Sequence, residues 1–306
     1  MLAGEPNFRA AAEAVSRQPI ARADVPEISL TASMAASNPL LWLAEYPGQA
    51  AGHAISWACQ SDNPDPIYAR IIEAIDQVEG CLPAANEVWL CLGLPISGGE
   101  GEASSGVAAC LSAQELDRAR AFRFEADGWS YTAAHSLLRT MLGRMLRRPP
   151  LSLHFDVGEA GKPYLSAGTE PAGGCGLHFS LSHSCGLVAI AVARHPVGVD
   201  VERMRPLPDM RELLAELMAD EVLNHFDSTP PDERTALFHR YWTLAEAFLK
   251  ARGDGLGGAF ADLAFTPGGI PRPVPISENG ISEHWHFGHA NGAVVDWCQA
   301  GPGERE

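Results

Sequence analysis

Two lysines stand out in a chain whose other basic side chains are all arginine. Lys162 and Lys250 are the only lysines among the 306 residues. An ammonium is a compact point charge that can also donate a proton, so a rare lysine inside a patterned stretch indicates chemistry. Lys162 follows Gly161, and Lys250 lies four residues after Glu246. Both stretches are therefore candidate parts of an active site.

Three carboxylates could share one hard cation. Asp200 and Glu202 alternate in an apolar run and would lie on one face of a strand, and Glu246 shares a helix face with Lys250. Mg²⁺ favours a few carboxylates together with water and substrate phosphates. Taken singly, the strand carboxylates also suit a solvated face, and the Glu246–Lys250 pair also suits a surface ion pair.

The elements that must position these residues alternate between helix and strand signals. Strands are predicted at 88–92, 151–156, 161–165, 178–181, 187–193 and 197–202, and helices from Ser112, at 131–146 and from about Thr229 to before Gly253. Ser112 and Glu115 form a capping-box pattern at the first of these helices. Residues 67–78 are a helical patch within the first 85. The mixture predicts an α+β fold.

Four motifs in a fixed order carry a resemblance to a known family. They are 161–164 (GKPY), 178–184 (HFSLSHS), 197–202 (VGVDVE) and 242–250 (WTLAEAFLK), the last running into the 253–256 turn (GDGL). In this order the sequence resembles the surfactin-type 4′-phosphopantetheinyl transferases over roughly residues 87–300. No motif of the family lies in the first 85 residues.

The resemblance implies a holo-[carrier protein] synthase. Such an enzyme transfers the phosphopantetheine arm of coenzyme A to a serine of an apo acyl or peptidyl carrier protein, depends on Mg²⁺ and releases 3′,5′-ADP. The carrier could serve fatty-acid, polyketide or non-ribosomal peptide synthesis. The alternative is a catalytically impaired relative that binds coenzyme A or a carrier protein without transfer.

The resemblance also assigns roles to individual residues. Asp200, Glu202 and Glu246 would hold Mg²⁺, Glu246 would accept the serine proton, and Lys250 would neutralise or protonate the leaving phosphate. Coenzyme A would be bound by Lys162, Ser182, His183 and Arg120. Trp242 would pack in the core beneath the site.

The fold implied is a pseudo-dimer of two similar α/β halves with coenzyme A between them, acting as a monomer. The predicted boundaries are an N-terminal extension at 1–85, a first half at 86–196 and a second half at 197–300 that carries the metal and catalytic motifs. The extension could be an extra packing layer, an interaction segment or disordered.

The chain departs from the family pattern where basic residues are expected. Ala245 replaces the lysine before the glutamate, and Asp117 and Ser130 also fall where relatives carry basic residues. Fewer cations near a polyanionic ligand should weaken binding or turnover. The predicted consequence is an active but slow enzyme that an Ala245→Lys substitution would accelerate.

Composition narrows the class of protein. The net charge of −16 argues against a nucleic-acid partner, which needs a basic footprint. The sequence lacks an apolar run long enough for a membrane span and a signal-peptide pattern, which predicts a cytoplasmic protein with no membrane partner. Seven cysteines without a CxxC pair indicate thiols rather than a disulfide framework or zinc knuckle.

Two further kinds of site remain open. Ser182 or Ser184 with a histidine could form a serine hydrolase site, although the sequence lacks a Gly-x-Ser-x-Gly elbow. His284, His286 and His289 could bind a transition metal, since the first two would share a strand face. A polar strand edge explains the three histidines equally well.

Overall fold

The computed structural model describes residues 40–42, 53–61, 68–71, 78–95, 108–169, 176–185, 187–253, 263–265, 273–275 and 284–291. The strands are β1 Leu40–Trp42, β2 His53–Ser61, β3 Tyr68–Ile71, β4 Glu87–Pro95, β5 Phe155–Val157, β6 Pro163–Leu165, β7 His178–Ser184, β8 Leu187–Ala193, β9 Val197–Arg203, β10 Leu263–Phe265, β11 Pro273–Pro275 and β12 His284–Asn291. The helices are α1 Ala113–Arg120, α2 Glu125–Leu146, α3 Met210–Leu217, α4 Asp220–Ser228 and α5 Arg234–Arg252. This mixture confirms the expectation of helix and sheet.

The larger of the two main sheets has five strands among the described residues, in the order β1-β4-β8-β7, with β3 pairing in parallel with β4. Every residue of β8 is buried, as expected of a strand covered on both faces. The helix α2 covers one face of this sheet with a row of apolar residues that includes Leu137, Leu138 and Met141. The predicted strands at 88–92 and 187–193 are both confirmed.

The helices next to this sheet begin and end for local reasons. Ser112 and Glu115 form the expected capping box at the start of α1, with the Ser112 side chain accepting a hydrogen bond from the Glu115 backbone N–H. The helix α2 begins at Glu125, six residues before the predicted Tyr131, with acidic residues in its first turn that suit the helix dipole. It ends at Arg147, which adopts a left-handed conformation.

The chain between α2 and β7 differs from prediction. The segment 151–156 was expected to be one strand, but Pro150–Ser152 forms a short 3₁₀ helix and only Phe155–Val157 is a strand. Proline presets the backbone angle of a helical first residue, which favours the turn over an extended strand here. The short strands β5 and β6 pair antiparallel, which places Lys162 in the connection between them.

The smaller main sheet has three strands among those described, in the order β12-β2-β9, all antiparallel, while β10 and β11 form a separate two-stranded pair. The helix α5 packs across it, and Phe248 contacts the rings of Trp285 and Phe287 on β12. The helix was expected from about Thr229 and begins at Arg234 instead, and it ends as predicted at Gly253 with φ 79°. None of the described helices is long and apolar enough to cross a membrane.

Part of the first 85 residues lies inside this smaller sheet. The strand β2 pairs with β9 on one side and β12 on the other, so it is the central strand. The helical patch predicted at 67–78 is wrong over Tyr68–Ile71, which is the strand β3. The boundaries at 85 and 196 stay a prediction, but residues 53–61 are part of the packed fold.

The two sheets meet along β8 and β9. Val197, Val199 and Val201 point away from α5 and pack with apolar residues of β2, β4 and β8. The opposite face of β9 therefore carries Asp200 and Glu202 toward α5, as the alternation predicted. This seam between the sheets leads directly to a cavity.

Candidate active site

A cavity of about 900 Å³ opens where the two sheets meet. Its walls come from the start of α2 and the segment before it, from the β5–β6 connection, from β7 and β9, and from α5. All the residues that the sequence singled out for catalysis, coenzyme A or metal line it, except Arg120: they are Lys162, Ser182, His183, Asp200, Glu202, Glu246 and Lys250. The structure thus brings together residues up to 88 positions apart.

The strand β9 and the helix α5 approach closely because of one glycine. A Cβ at Gly198 would overlap the backbone carbonyl of Ala247, so no larger residue fits there without moving the helix. This close approach holds Asp200 and Glu202 against α5. On the helix, Glu246, Leu249 and Lys250 face the cavity, and Gly253 follows at its end.

One ammonium lies among three carboxylates. The Lys250 Nζ atom lies 2.5 Å from Asp200 Oδ1, 3.0 Å from Ser182 Oγ and 3.6 Å from Glu246 Oε2. Burial disfavours the Lys250 ammonium, but the carboxylates outweigh burial and raise the pKa of Lys250. The neighbouring carboxylates therefore keep Lys250 protonated.

Ionisation of the two glutamates is disfavoured by their surroundings. Burial, followed by repulsion from the other carboxylates, raises the pKa of Glu202 to about 8 and that of Glu246 to about 7. Asp200 is 1% exposed, and its Oδ2 atom has no hydrogen-bond partner within the described part of the chain. Buried oxygens of this kind need a cation or a proton.

The three carboxylates are the type of ligand that Mg²⁺ prefers, but their side chains are not arranged as a complete coordination site. Three carboxylate oxygen donors with one unpartnered oxygen are the hard ligands that Mg²⁺ prefers. Within the residues described, however, no group of three metal-binding side chains is already arranged for an ion. Lys250 contacts Asp200 where an added cation would compete with it.

The predicted coenzyme A contacts differ in their surroundings. Lys162 donates from Nζ to the carbonyls of Val197 (3.1 Å) and Ala251 (2.9 Å), and burial lowers its pKa to about 8. It therefore connects the β5–β6 segment to β9 and α5. Burial and the nearby Lys250 lower the pKa of His183 to about 4, which leaves its imidazole neutral at pH 7.

Comparison with known proteins shows which family the chain resembles. The family model of the 4′-phosphopantetheinyl transferase superfamily matches residues 196–299, and the model of the 4′-phosphopantetheinyl transferase N-terminal region matches residues 101–195. The 4′-phosphopantetheinyl transferase HetI of Nostoc sp. is 36% identical over 163 residues, which are 53% of this chain and 68% of HetI. The chain belongs to the 4′-phosphopantetheinyl transferase family.

Other members are more distant. A 4′-phosphopantetheinyl transferase of Bacillus subtilis is 28% identical over 53% of this chain and 67% of its own length. The putative 4′-phosphopantetheinyl transferase slr0495 of Synechocystis sp. is 28% identical over 66% of this chain and 78% of its own length. The resemblance inferred from the four motifs is confirmed, and the protein is a transferase of this family.

Arg120 does not line the cavity of this phosphopantetheinyl transferase. Its side chain is 73% exposed and pairs with Asp117 at 3.1 Å. Arg123, three residues on, does line the cavity, together with the exposed rings of Phe122 and Phe124. The sequence offered no means of choosing among these arginines, because the turn between α1 and α2 decides which one faces the cavity.

The departures from the family pattern have different structural meanings. Ala245 is 1% exposed in the core cluster that includes Trp242, and it is not part of the cavity wall. This burial argues against the expectation that a lysine at 245 would accelerate the enzyme, because its ammonium would enter an apolar core; the expectation stays a prediction. Asp117 is exposed and outside the cavity, whereas Ser130 lines it.

The two other kinds of site are not supported. The hydroxyls of Ser182 and Ser184 donate to Asp200 and Glu202, so neither proton is directed to a histidine base. The regular register of β12 places His286 and His289 on opposite faces, and His289 Nδ1 lies 2.9 Å from Ser56 Oγ. The described residues contain no group of three histidines or acids suited to a metal ion.

Sequence reasoning did not single out Ser180, and it considered Ser184 only as a possible nucleophile, although both serines matter to the geometry. Ser180 and Ser184 share the face of β7 that carries Ser182, and all three contact β9. The alternation of serine in the 178–184 segment was the available signal, since residues two apart in a strand face the same side.

Proposed function

We propose that this protein transfers the 4′-phosphopantetheine arm of coenzyme A to a serine hydroxyl of an apo carrier protein and releases 3′,5′-ADP in a Mg²⁺-dependent reaction. The observation that carries the proposal is the convergence of Asp200, Glu202, Glu246 and Lys250 on one cavity. Membership of the family supplies the reaction class.

Asp200, Glu202 and Glu246 would hold Mg²⁺. When bound, the ion would neutralise the pyrophosphate and make the attacked phosphorus more electrophilic. Its binding would also relieve the repulsion that raises the pKa values of both glutamates. Phosphoryl chemistry depends mainly on such charge neutralisation and on positioning.

Glu246 would accept the proton of the carrier serine, directly or through water. A carboxylate is a common general base, and Glu246 lies on the cavity wall beside Lys250. Lys250, kept cationic by Asp200, would stabilise negative charge on the departing 3′,5′-ADP.

Coenzyme A would lie between the two sheets, with its phosphates near Lys162, Ser182 and His183. Among the arginines before α2, we assign this role to Arg123 in place of Arg120, because Arg123 lines the cavity. Lys162 already donates to two carbonyls, so it would act partly by holding the cavity wall in place.

The two sheets with their helices α2 and α5 support the pseudo-dimer reading, in which each half supplies one wall. A cavity completed within one chain is consistent with a monomer. The proposed substrates, coenzyme A and an apo carrier protein, are those of a cytoplasmic reaction.

Intact-mass spectrometry of an apo carrier protein tests the proposal. The carrier is incubated with coenzyme A, Mg²⁺ and this protein, or with its Glu246→Gln variant. Glu221→Gln on the exposed part of α4 is the matched control. We expect the carrier to gain the phosphopantetheine mass with the unmodified protein and the Glu221→Gln control, and at least about a hundredfold more slowly with Glu246→Gln.

The same experiment distinguishes the impaired relative. Coenzyme A binding by calorimetry without a mass gain on any of several carriers would contradict transfer and support a binding function. A mass gain that Glu246→Gln leaves unchanged would contradict the role given to Glu246 but not transfer itself.

A further inference from the structure

Three serines of β7 connect the two sheets. Ser180, Ser182 and Ser184 lie on one face of β7, and each Oγ accepts a hydrogen bond from a backbone N–H of β9. The three bonds are Val199 N to Ser180 Oγ at 3.1 Å, Val201 N to Ser182 Oγ at 3.3 Å and Arg203 N to Ser184 Oγ at 3.3 Å. Side-chain hydroxyls therefore bridge β7 and β9, which belong to separate sheets.

Two of these hydroxyls also touch a carboxylate. Ser182 Oγ donates to Asp200 Oδ1 at 2.8 Å, and Ser184 Oγ donates to Glu202 Oε2 at 2.8 Å. Asp200 directly precedes Val201, and Glu202 directly precedes Arg203, so each carboxylate is next to the backbone N–H that binds the same serine. The residue before Val199 is Gly198, which has no side chain, so Ser180 forms the backbone bond alone.

The bonding pattern fixes the direction of each hydroxyl. A serine has one proton to donate, and the backbone N–H of β9 already occupies an acceptor site on the oxygen. The proton then points at the carboxyl oxygen, which accepts it at 2.8 Å in both cases. Ser182 has a second role, because Lys250 Nζ also contacts its oxygen at 3.0 Å. Ser184 is the simpler case.

We propose that Ser184 is a positioning residue for Glu202. Its hydroxyl, anchored by the Arg203 N–H, holds the Glu202 carboxylate in the orientation that the cation site requires, against repulsion from Asp200 and Glu246. The proposal rests on the proposed function, in which Glu202 helps to hold Mg²⁺. It also means that the first half of the molecule orients a carboxylate supplied by the second.

The serine series provides its own control. Ser184→Ala removes the bond to the backbone and the bond to Glu202, whereas Ser180→Ala removes only a backbone bond of the same kind. Ser184→Thr keeps the hydroxyl, and Ser184→Cys keeps the side-chain size with a much weaker donor. The Cys variant gives the same comparison if Ser184→Ala does not fold.

The first measurement is cation binding without substrates. Mn²⁺ titrations followed by electron paramagnetic resonance should show about tenfold weaker binding for Ser184→Ala, and a change within about twofold for Ser180→Ala and Ser184→Thr. The Mg²⁺ concentration for half-maximal transfer should move in parallel, with kcat at saturating Mg²⁺ changed less. Equal effects of Ser184→Ala and Ser180→Ala on Mn²⁺ binding would overturn the proposal.

The second measurement does not depend on transfer. In a double-mutant cycle followed by urea unfolding, Ser184→Ala should lower the folding equilibrium constant severalfold in the wild type and much less in the Glu202→Ala background. Additive effects would overturn the proposal. Failure of the proposed function has a different signature: no carrier would gain mass with the unmodified protein, and Glu202→Gln would leave Mn²⁺ binding unchanged, while the coupling between Ser184 and Glu202 persisted.

Discussion

At the level of single residues, the cavity uses fewer cations than its relatives' pattern suggested. Lys162, Lys250 and Arg123 line it, while Arg120 pairs with Asp117 outside it. Because a polyanionic ligand interacts most strongly with the charges nearest to it, the arginines of this segment should contribute unequally to coenzyme A binding.

Arg123→Ala should weaken coenzyme A binding by about 1 kcal/mol, or roughly fivefold, since one exposed charge contact is lost. Arg120→Ala is the matched control, with an expected change within about twofold. Calorimetric titration at low salt measures both. Equal losses for the two variants would show that the segment acts through its overall charge and not through contact.

The missing cations can be tested one position at a time. Ser130→Lys places an ammonium on the cavity wall and should tighten coenzyme A binding about threefold to tenfold. Ala245→Lys places one in the core and should lower the free energy of unfolding by about 3 kcal/mol or more, without tighter binding. Calorimetry measures coenzyme A binding by the two variants, and urea unfolding measures their stability. A faster, equally stable Ala245→Lys enzyme would restore the original expectation.

Much of the candidate site could be predicted at this scale. Asp200 and Glu202 follow from strand alternation, and Glu246 and Lys250 from helix spacing, because both periodicities are local. Arg123 could not be chosen over Arg120, and Ser184 was read only as a possible nucleophile. The choice of arginine depends on the turn between α1 and α2, and the role of Ser184 depends on a contact across 18 positions of the chain, and no local period encodes either.

At the level of elements, a buried chain of hydroxyls joins β2, α5 and β12. Thr243 Oγ1 donates to the His239 carbonyl at 2.9 Å, so it accepts from Ser56 Oγ at 2.7 Å. Ser56 then accepts from His289 Nδ1, which must carry the proton. His289 Nε2 is therefore the lone-pair nitrogen, and it is buried without a hydrogen-bond partner within the described residues.

This arrangement predicts a loss of stability in acid. Burial lowers the pKa of His289 to about 3 from the ordinary value of 6.5. Between these values the unfolded chain binds a proton that the folded protein does not, so the free energy of unfolding falls as the pH drops below about 6.5. The contribution approaches about 1.4 kcal/mol for each pH unit.

His289→Asn keeps an N–H donor near the Nδ1 position but cannot be protonated. We expect its free energy of unfolding to decline less between pH 6.5 and 5 than that of the wild type, by about 1 to 2 kcal/mol. Urea unfolding at several pH values measures the slope. Parallel slopes for the two proteins would contradict the assignment of a buried neutral imidazole.

At the level of the whole molecule, the two regions matched by the family models do not contain the complete fold. Neither match includes residues 53–61, yet β2 is the strand that joins β9 to β12. This role could not be predicted from the sequence, because the pairing partners of β2 lie more than 130 positions away. The apolar residues of the 53–61 segment are compatible with several secondary structures, and its pairing with β9 and β12 makes it a strand.

Removal of the first 77 residues should therefore prevent folding. That chain lacks β2, so β9 and β12 would expose unpaired edges and an apolar face. A chain that begins at residue 38 keeps every described strand and is the control. Thermal unfolding and size-exclusion chromatography compare them. A cooperative transition in the shorter chain, at the melting temperature of the control, would support the original reading of 1–85 as a separate extension.

The pairing of β12 with β2 has a consequence for the connectivity of the molecule. Asn291 is the register partner of Ala54, so the end of β12 lies about 5 Å from the beginning of β2. A turn of a few residues could join Asn291 to His53 without changing the order β12-β2-β9, but the chain before His53 carries β1, which pairs with β4. A circular permutation at this point would therefore have to keep Leu40–Trp42 elsewhere in the chain or lose that edge strand of the larger sheet.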